Sequence, residues 1–149
     1  MKTRVAMMFG GKSVEHEVSV ISGIQAYMSM DTDKYDVIPV YMTKNNEMYI
    51  GDSIGDIESY KNIDELLKKS QRVIMINEDG RVKLVQYPVK KLGKNVEVGI
   101  DVAFPVVHGT NVEDGGFQGY LKTMGIPFVG CDVTVSYTHL RAHETLSDL

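Results

Sequence analysis

The sequence predicts an α/β fold, an open and mainly parallel sheet with an antiparallel hairpin insertion. Three observations carry this. Two apolar runs, "RVAMMF" (Arg4 to Phe9) and "IDVAFPVV" (Ile100 to Val107), have the continuous hydrophobicity of strands buried on both faces. Each is followed by a polar, glycine-containing stretch and then a helical pattern. Between them lie shorter strand patterns separated by turn residues.

In chain order, the first run ends at Gly10-Gly11. Ser13 is placed to cap a helix, with Glu15 and Glu17 in its first turn, where acids suit the positive end of the dipole. Val18, Ile21, Ile24 and Met28 recur at helical spacing and predict an amphipathic helix to about Met30. "YDVIPVYMT" is the next strand, Lys44-Asn45-Asn46 a turn and "EMYI" a return strand. Residues 56–71 are partly helical, best in "IDELLKK". "RVIMIN" and "RVKLVQY" flank Glu78-Asp79-Gly80, a hairpin signal. After the second apolar run, Asp114 caps a helix carrying Phe117, Tyr120, Leu121 and Met124. Gly125 ends that helix, Pro127 follows, and "IPFVG" is a short last strand.

With 149 residues the chain suits one domain with a real core. It is 43% hydrophobic and 24% charged, ordinary for a soluble protein. The net charge of -4 gives no reason to expect nucleic acid. No apolar run approaches the roughly 20 residues that span a bilayer, and the N-terminus lacks the form of a secretory signal, so neither membrane nor export is expected. The single cysteine, Cys131, excludes an internal disulfide and fits a reducing, cytoplasmic setting.

"AMMFGGKS" fits a permissive phosphate-loop pattern, but Met7, Met8 and Phe9 read as strand interior. Only Gly10 and Gly11 are free to turn, too few to wrap a phosphate. A tight glycine turn without a ligand is the plain alternative. A third reading places a ligand beyond the C-terminal ends of the two buried strands, as open α/β sheets do. If those strands are neighbours, Gly10, Gly11 and Glu15 face His108, Gly109 and Glu113 across one crevice. A carboxylate from Glu15 suits an ammonium group. His108 and the helix start near Asp114 suit a carboxylate or phosphate. A small zwitterion such as an amino acid fits. The plain readings are a first-turn dipole acid for Glu15, a structural histidine for His108 and a helix cap for Asp114.

"FGGKSVEHEVSVISG" and "FPVVHGTNVEDGGFQGYLKTMGIPFVG" resemble the two N-terminal signatures of D-alanine–D-alanine ligases, in the right order and at the right separation. "YDVIPVYMTKNNEMYI" between them is similar to the same family, and the resemblance runs from about Arg4 to Asp132. It implies a pre-ATP-grasp, Rossmann-like N-terminal domain of an ATP-grasp enzyme of peptidoglycan synthesis. It also implies ATP and magnesium (or manganese), held by domains downstream of this one. ATP phosphorylates the first D-alanine, and the amine of the second attacks the acyl phosphate. On the matching positions, Glu15 orients the first substrate's ammonium, and His108 lies near its carboxylate or the transferred phosphate. Gly10 and Gly11 let the backbone approach, Glu113, Asp114 and Gly115 shape the loop and start the helix, and Gly109 is counted with the substrate-binding residues. The resemblance further implies a homodimer. Two features depart from the family pattern: Gly116 stands where a polar residue is common, and Thr110-Asn111-Val112 is less glycine-rich than usual.

Past Val133 the pattern breaks. Val135 to Thr145 matches, in one frame, the translation of a transposase-type sequencing-library adapter. Residues 1–134 are therefore expected to be the ligase's N-terminal domain and 135–149 a non-native tail. His139, His143 and Glu144, which mimic a metal-binding helix, are then accidental, and no metal site is expected. The chain alone is expected to be inactive. The alternatives are a ligase joining D-alanine to D-serine or D-lactate, a free-standing small-ligand binding module, and a phosphate-loop nucleotide binder.

Overall fold

The computed structural model describes residues 2–12, 15–106 and 119–128. Seven strands form one sheet: β1 (Thr3–Gly10), β2 (Tyr35–Met42), β3 (Met48–Ile50), β4 (Gln71–Glu78), β5 (Arg81–Gln86), β6 (Glu97–Ile100) and β7 (Val102–Val106). Helix α1 (His16–Ser29) follows β1. A 3-10 turn (Ile57–Lys61) and α2 (Ile63–Lys68) precede β4, and residues 119–124 are helical.

The strand order is β6-β5-β4-β3-β2-β1-β7. β1 pairs in parallel with both β2 and β7, and Ala103 adds a parallel bridge to Phe128. The pairs from β2 through β6 are antiparallel. The α/β class with a parallel core and an antiparallel insertion is thus present. The insertion is larger than one hairpin, because β3 to β6 are all antiparallel to their neighbours. The hairpin turn falls where Asp79 and Gly80 take positive φ, at 56° and 83°.

The single strand expected over Ile100–Val107 is, in its described part, divided at Asp101. Its first part, β6, bonds β5, and its second part, β7, bonds β1. Only Asp101 separates them, so the outermost strands of the order are covalently adjacent. The sheet must therefore roll until its ends meet. Arg4 and Asp101 hold this seam. Arg4 N donates to Asp101 Oδ2 at 2.8 Å and Asp101 N donates to Arg4 O at 2.9 Å. The Arg4 Nε and Nη2 reach the two carboxylate oxygens at 3.2 Å.

Rolling creates two cores. Inside the curl, Ala6, Met8, Val40, Val73, Leu84 and Ala103 pack with Leu121 and Ile126. On the other face, Val5, Met7, Phe9 and Phe104 pack against Val20 and Ile24 of α1 and Leu66 of α2. Each fully buried large side chain contributes about 1.5–3 kcal/mol.

The structure corrects the face of α1. Val18 (46% exposed), Ile21 (49%) and Met28 (75%) point outward, and of the four expected apolar positions Ile24 alone is buried. The buried side consists of His16, Ser19, Val20, Gly23, Ile24 and Ala26. Small residues let the helix lie close to the sheet. A Cβ on Gly23 would overlap the Phe9 side chain. Glu15 takes the N-cap position rather than the first turn, and its side chain makes no capping bond. The expected caps Ser13 and Asp114 lie outside the described residues, as does Phe117. On the helix of residues 119–124, Tyr120 is 40% exposed, whereas Leu121 is buried.

The Arg4 guanidinium and a backbone N–H hold the Asp101 carboxyl below its ordinary range. A lowered carboxylate pKa gives stability that is full above the unfolded value and lost as pH falls through the folded one. Asp101→Asn is therefore expected to lower the urea midpoint at pH 7, with the gap to the parent closing below about pH 4. Both side chains are 44% exposed, so solvent screens the charge. No gap at any pH would assign the seam to the backbone hydrogen bond that the variant keeps, from Asp101 N to Arg4 O.

Candidate functional site

β1 and β7 are parallel neighbours, so the condition for a shared crevice is met: Phe9 pairs with Val106, and both strands finish at the same end of the sheet. Gly10 and Gly11 follow with φ of 88° and 90°, a left-handed region that glycine enters without steric cost.

Three neighbours hold this turn. From the β2 side, Gly11 N donates to Met42 O at 2.8 Å, and Lys12 N donates to Asn46 Oδ1 at 3.1 Å. From α1, Ser19 is wholly buried and bridges the two strand ends. Its Oγ accepts from Gly10 N at 2.9 Å and donates to Val106 O at 2.5 Å. Also from α1, His16 Nδ1 lies 2.7 Å from Gly11 O and Nε2 lies 2.8 Å from the Tyr41 hydroxyl. A carbonyl only accepts, so Nδ1 carries the proton, and in the neutral ring Nε2 accepts from Tyr41. Tyr41 stands edge-on to His16 and to Tyr60, with centroids 5.5 and 5.2 Å away. Burial pushes the Tyr41 hydroxyl up to about 12, so it remains a donor through neutral pH. Burial likewise raises Tyr60.

Glu15 is exposed directly beyond this turn, and its carbonyl accepts from Ser19 N at 2.9 Å. Lys12 is exposed as well. Of the expected site residues, the structure brings Gly10, Gly11 and Glu15 together at the end of β1. His108, Gly109 and Glu113 lie outside the described residues. His16, Ser19 and Tyr41 hold the turn and were not singled out from sequence. Among the described residues no group of three or more His, Cys, Asp or Glu could hold a metal ion. Nor is any described helix long and apolar enough to cross a membrane.

A rigid glycine turn, a carboxylate and the start of a helix converge where parallel sheets bind small ligands. The same stretch is shared with known proteins. The chain is 41% identical over 128 residues to a D-alanine–D-alanine ligase of Thermosipho melanesiensis, covering 86% of this chain and 34% of that protein. It is 41% identical over 139 residues to one of Caldicellulosiruptor bescii, covering 91% and 35%. The chain thus spans about a third of the length of the curated relatives it matches. Among solved structures, the VanG D-Ala:D-Ser ligase of Enterococcus faecalis superposes with a TM-score of 0.64 at 31% identity, covering 92% of this chain and 38% of that one. The D-alanine–D-alanine ligase of Coxiella burnetii superposes with a TM-score of 0.69 at 26% identity, covering 91% and 37%. The model of the family described as D-ala D-ala ligase N-terminus matches residues 4–131, and the chain belongs to that family.

Proposed function

We propose that residues 1–134 form the first-substrate half-site of an ATP-dependent D-alanine–D-alanine ligase, with residues 135–149 a non-native tail. The observation that carries this reading is the Gly10-Gly11 turn. It is fixed from three sides at the end of β1, with Glu15 exposed beside it. Gly10 and Gly11 let a small ligand approach the backbone, and the Glu15 carboxylate orients its ammonium. His108, Gly109 and Glu113 complete the subsite from beyond β7, with His108 near the substrate carboxylate. ATP and magnesium act from the parts of the relatives that this chain does not span. The acyl phosphate forms there, and this chain alone is inactive. The assignment supports a cytoplasmic role in peptidoglycan synthesis and a homodimer. A D-alanine–D-serine ligase is the second reading, favoured by the similarity to VanG.

The test joins residues 1–131 to the downstream part of the Thermosipho relative. The chimera is expected to consume ATP in the presence of D-alanine, whereas the 149-residue chain is not. Glu15→Gln in the chimera is expected to lower kcat/KM for D-alanine about 10- to 100-fold, the worth of one charge-assisted hydrogen bond. A folded chimera that ignores D-alanine, or a Glu15→Gln variant as active as its parent, would overturn the assignment.

A further inference from the structure

The loop joining β5 to β6 combines two features that the ligase reading does not use. β5 and this loop, residues 81–96, contain Arg81 and Lys83 in the strand, Lys90, Lys91 and Lys94 in the loop, and no acid. Setting those five charges aside from the net -4 leaves -9 on the rest of the chain. The same loop holds four of the nine large apolar side chains exposed among the described residues. They are Tyr87 (41%), Val89 (60%), Leu92 (88%) and Val96 (41%).

The loop is held in shape. Gln86 N donates to Val96 O at 2.8 Å, and Val96 N donates to Gln86 Oε1 at 3.1 Å, closing its base. Lys90 N donates to Asn95 Oδ1 at 2.7 Å, closing the tip from within. Every residue from Tyr87 to Lys94 is exposed. Lys83, at the base, is paired with Glu78 and Glu97. No ion pair among the described residues involves Lys90, Lys91 or Lys94.

We propose that this loop docks the protein on the surface of an anionic lipid bilayer, with Leu92 and Val89 entering the headgroup region and Lys90, Lys91 and Lys94 facing acidic headgroups. The shape favours lipid over an acidic protein. An apolar tip as exposed as Leu92 (88%) needs a pocket in a protein, but a fluid bilayer yields to it. Lysines beside a short apolar insertion are the chemistry of reversible interfacial binding. That no described helix is long and apolar enough to cross a membrane bears on a different mode of association.

The test sediments the 149-residue chain with phosphatidylcholine vesicles, with and without phosphatidylglycerol. Binding is expected only with the anionic lipid. It should weaken as ionic strength rises from about 0.1 M to about 1 M, where the screening length falls from about 10 Å to about 3 Å. Replacing Lys90, Lys91 and Lys94 together by Gln should weaken binding about 100-fold, since each surface lysine contributes about fivefold. Leu92→Ser should weaken it about tenfold. The same charge removed elsewhere, as Lys2→Gln with Lys68→Gln and Lys69→Gln, should cost far less. Circular dichroism checks that each variant is folded. No sedimentation, equal sedimentation with neutral vesicles, or equal losses in both triple variants would overturn the proposal. So would binding to polyglutamate as tight as to vesicles and indifferent to Leu92→Ser, which would assign the loop to an acidic protein.

Discussion

Gly10→Ala is expected to destabilise the domain by about 3 kcal/mol or more, read as a lower urea midpoint with an unchanged denaturant slope. Two effects add. At φ 88° an L side chain pays about 1–2 kcal/mol for the left-handed backbone. The new Cβ would also meet the carbonyl oxygen of Met42, a backbone atom that cannot swing aside, with Tyr41 Cε1 at 3.1 Å and His16 Cε1 at 3.2 Å behind it. Forced overpacking of this kind costs about a further 1–3 kcal/mol. Gly80→Ala separates the two effects. Gly80 has φ 83° but nothing within 4 Å of its ideal Cβ, so it should lose only the backbone part. Equal losses at the two positions would mean that the crowding around Gly10 relaxes freely, and that the turn is less rigid than its hydrogen bonds indicate.

Ser19→Ala is expected to cost about 2–4 kcal/mol. The hydroxyl is wholly buried and serves two backbone groups at once, the N–H of Gly10 and the carbonyl of Val106. Alanine leaves both without that partner in a place shielded from water, and each buried unsatisfied group costs about 1–3 kcal/mol. The control is Ser29→Ala on the same helix. Ser29 is exposed and its hydroxyl bonds Gln25 O, so its loss should stay within about 0.5 kcal/mol. If Ser19→Ala were equally mild, a water would be replacing the hydroxyl, and Ser19 would not be the tie between the two strand ends. The chimera gives a second readout. A loosened turn should raise KM for D-alanine before it lowers the yield of folded protein.

The strands were legible because burial on both faces leaves a plain apolar signature, as in Arg4 to Phe9. The hairpin was legible because Asp79 and Gly80 carry the turn chemistry themselves. The face of α1 was not. Its outward side holds Val18, Ile21 and Met28, whereas its inward side holds Ser19, Gly23 and His16, chosen for closeness and hydrogen bonding rather than hydrophobicity. A hydrophobic periodicity therefore points to the wrong side. The break at Asp101 was hidden because a carboxylate inside an apolar run reads as a solvent-facing strand residue. Its role as a clamp depends on Arg4, distant in sequence. The turn at the end of β1 was legible from Gly10 and Gly11, which break the apolar run. The groups that fix the turn were not: Ser19 ties it to Val106 and His16 ties it to Tyr41, partners distant in sequence, and local spacing carries no trace of such contacts.

The rolled sheet has a consequence for solubility. A flat meander ending in β6 would present a row of unpaired peptide groups, an open template on which a second chain could add a strand. Here β6 runs directly into β7, and the Arg4 guanidinium lies where a side chain on Gly99 would project, covering that rim. On the far side of β7, Ala103 N donates to Pro127 O at 2.9 Å, and the bridge to Phe128 covers the other rim. Among the described residues each edge of the sheet thus has a covering group, Arg4 at β6 and residues 127–128 at β7. Loosening the seam should show first as concentration-dependent aggregation, before any loss of helix signal.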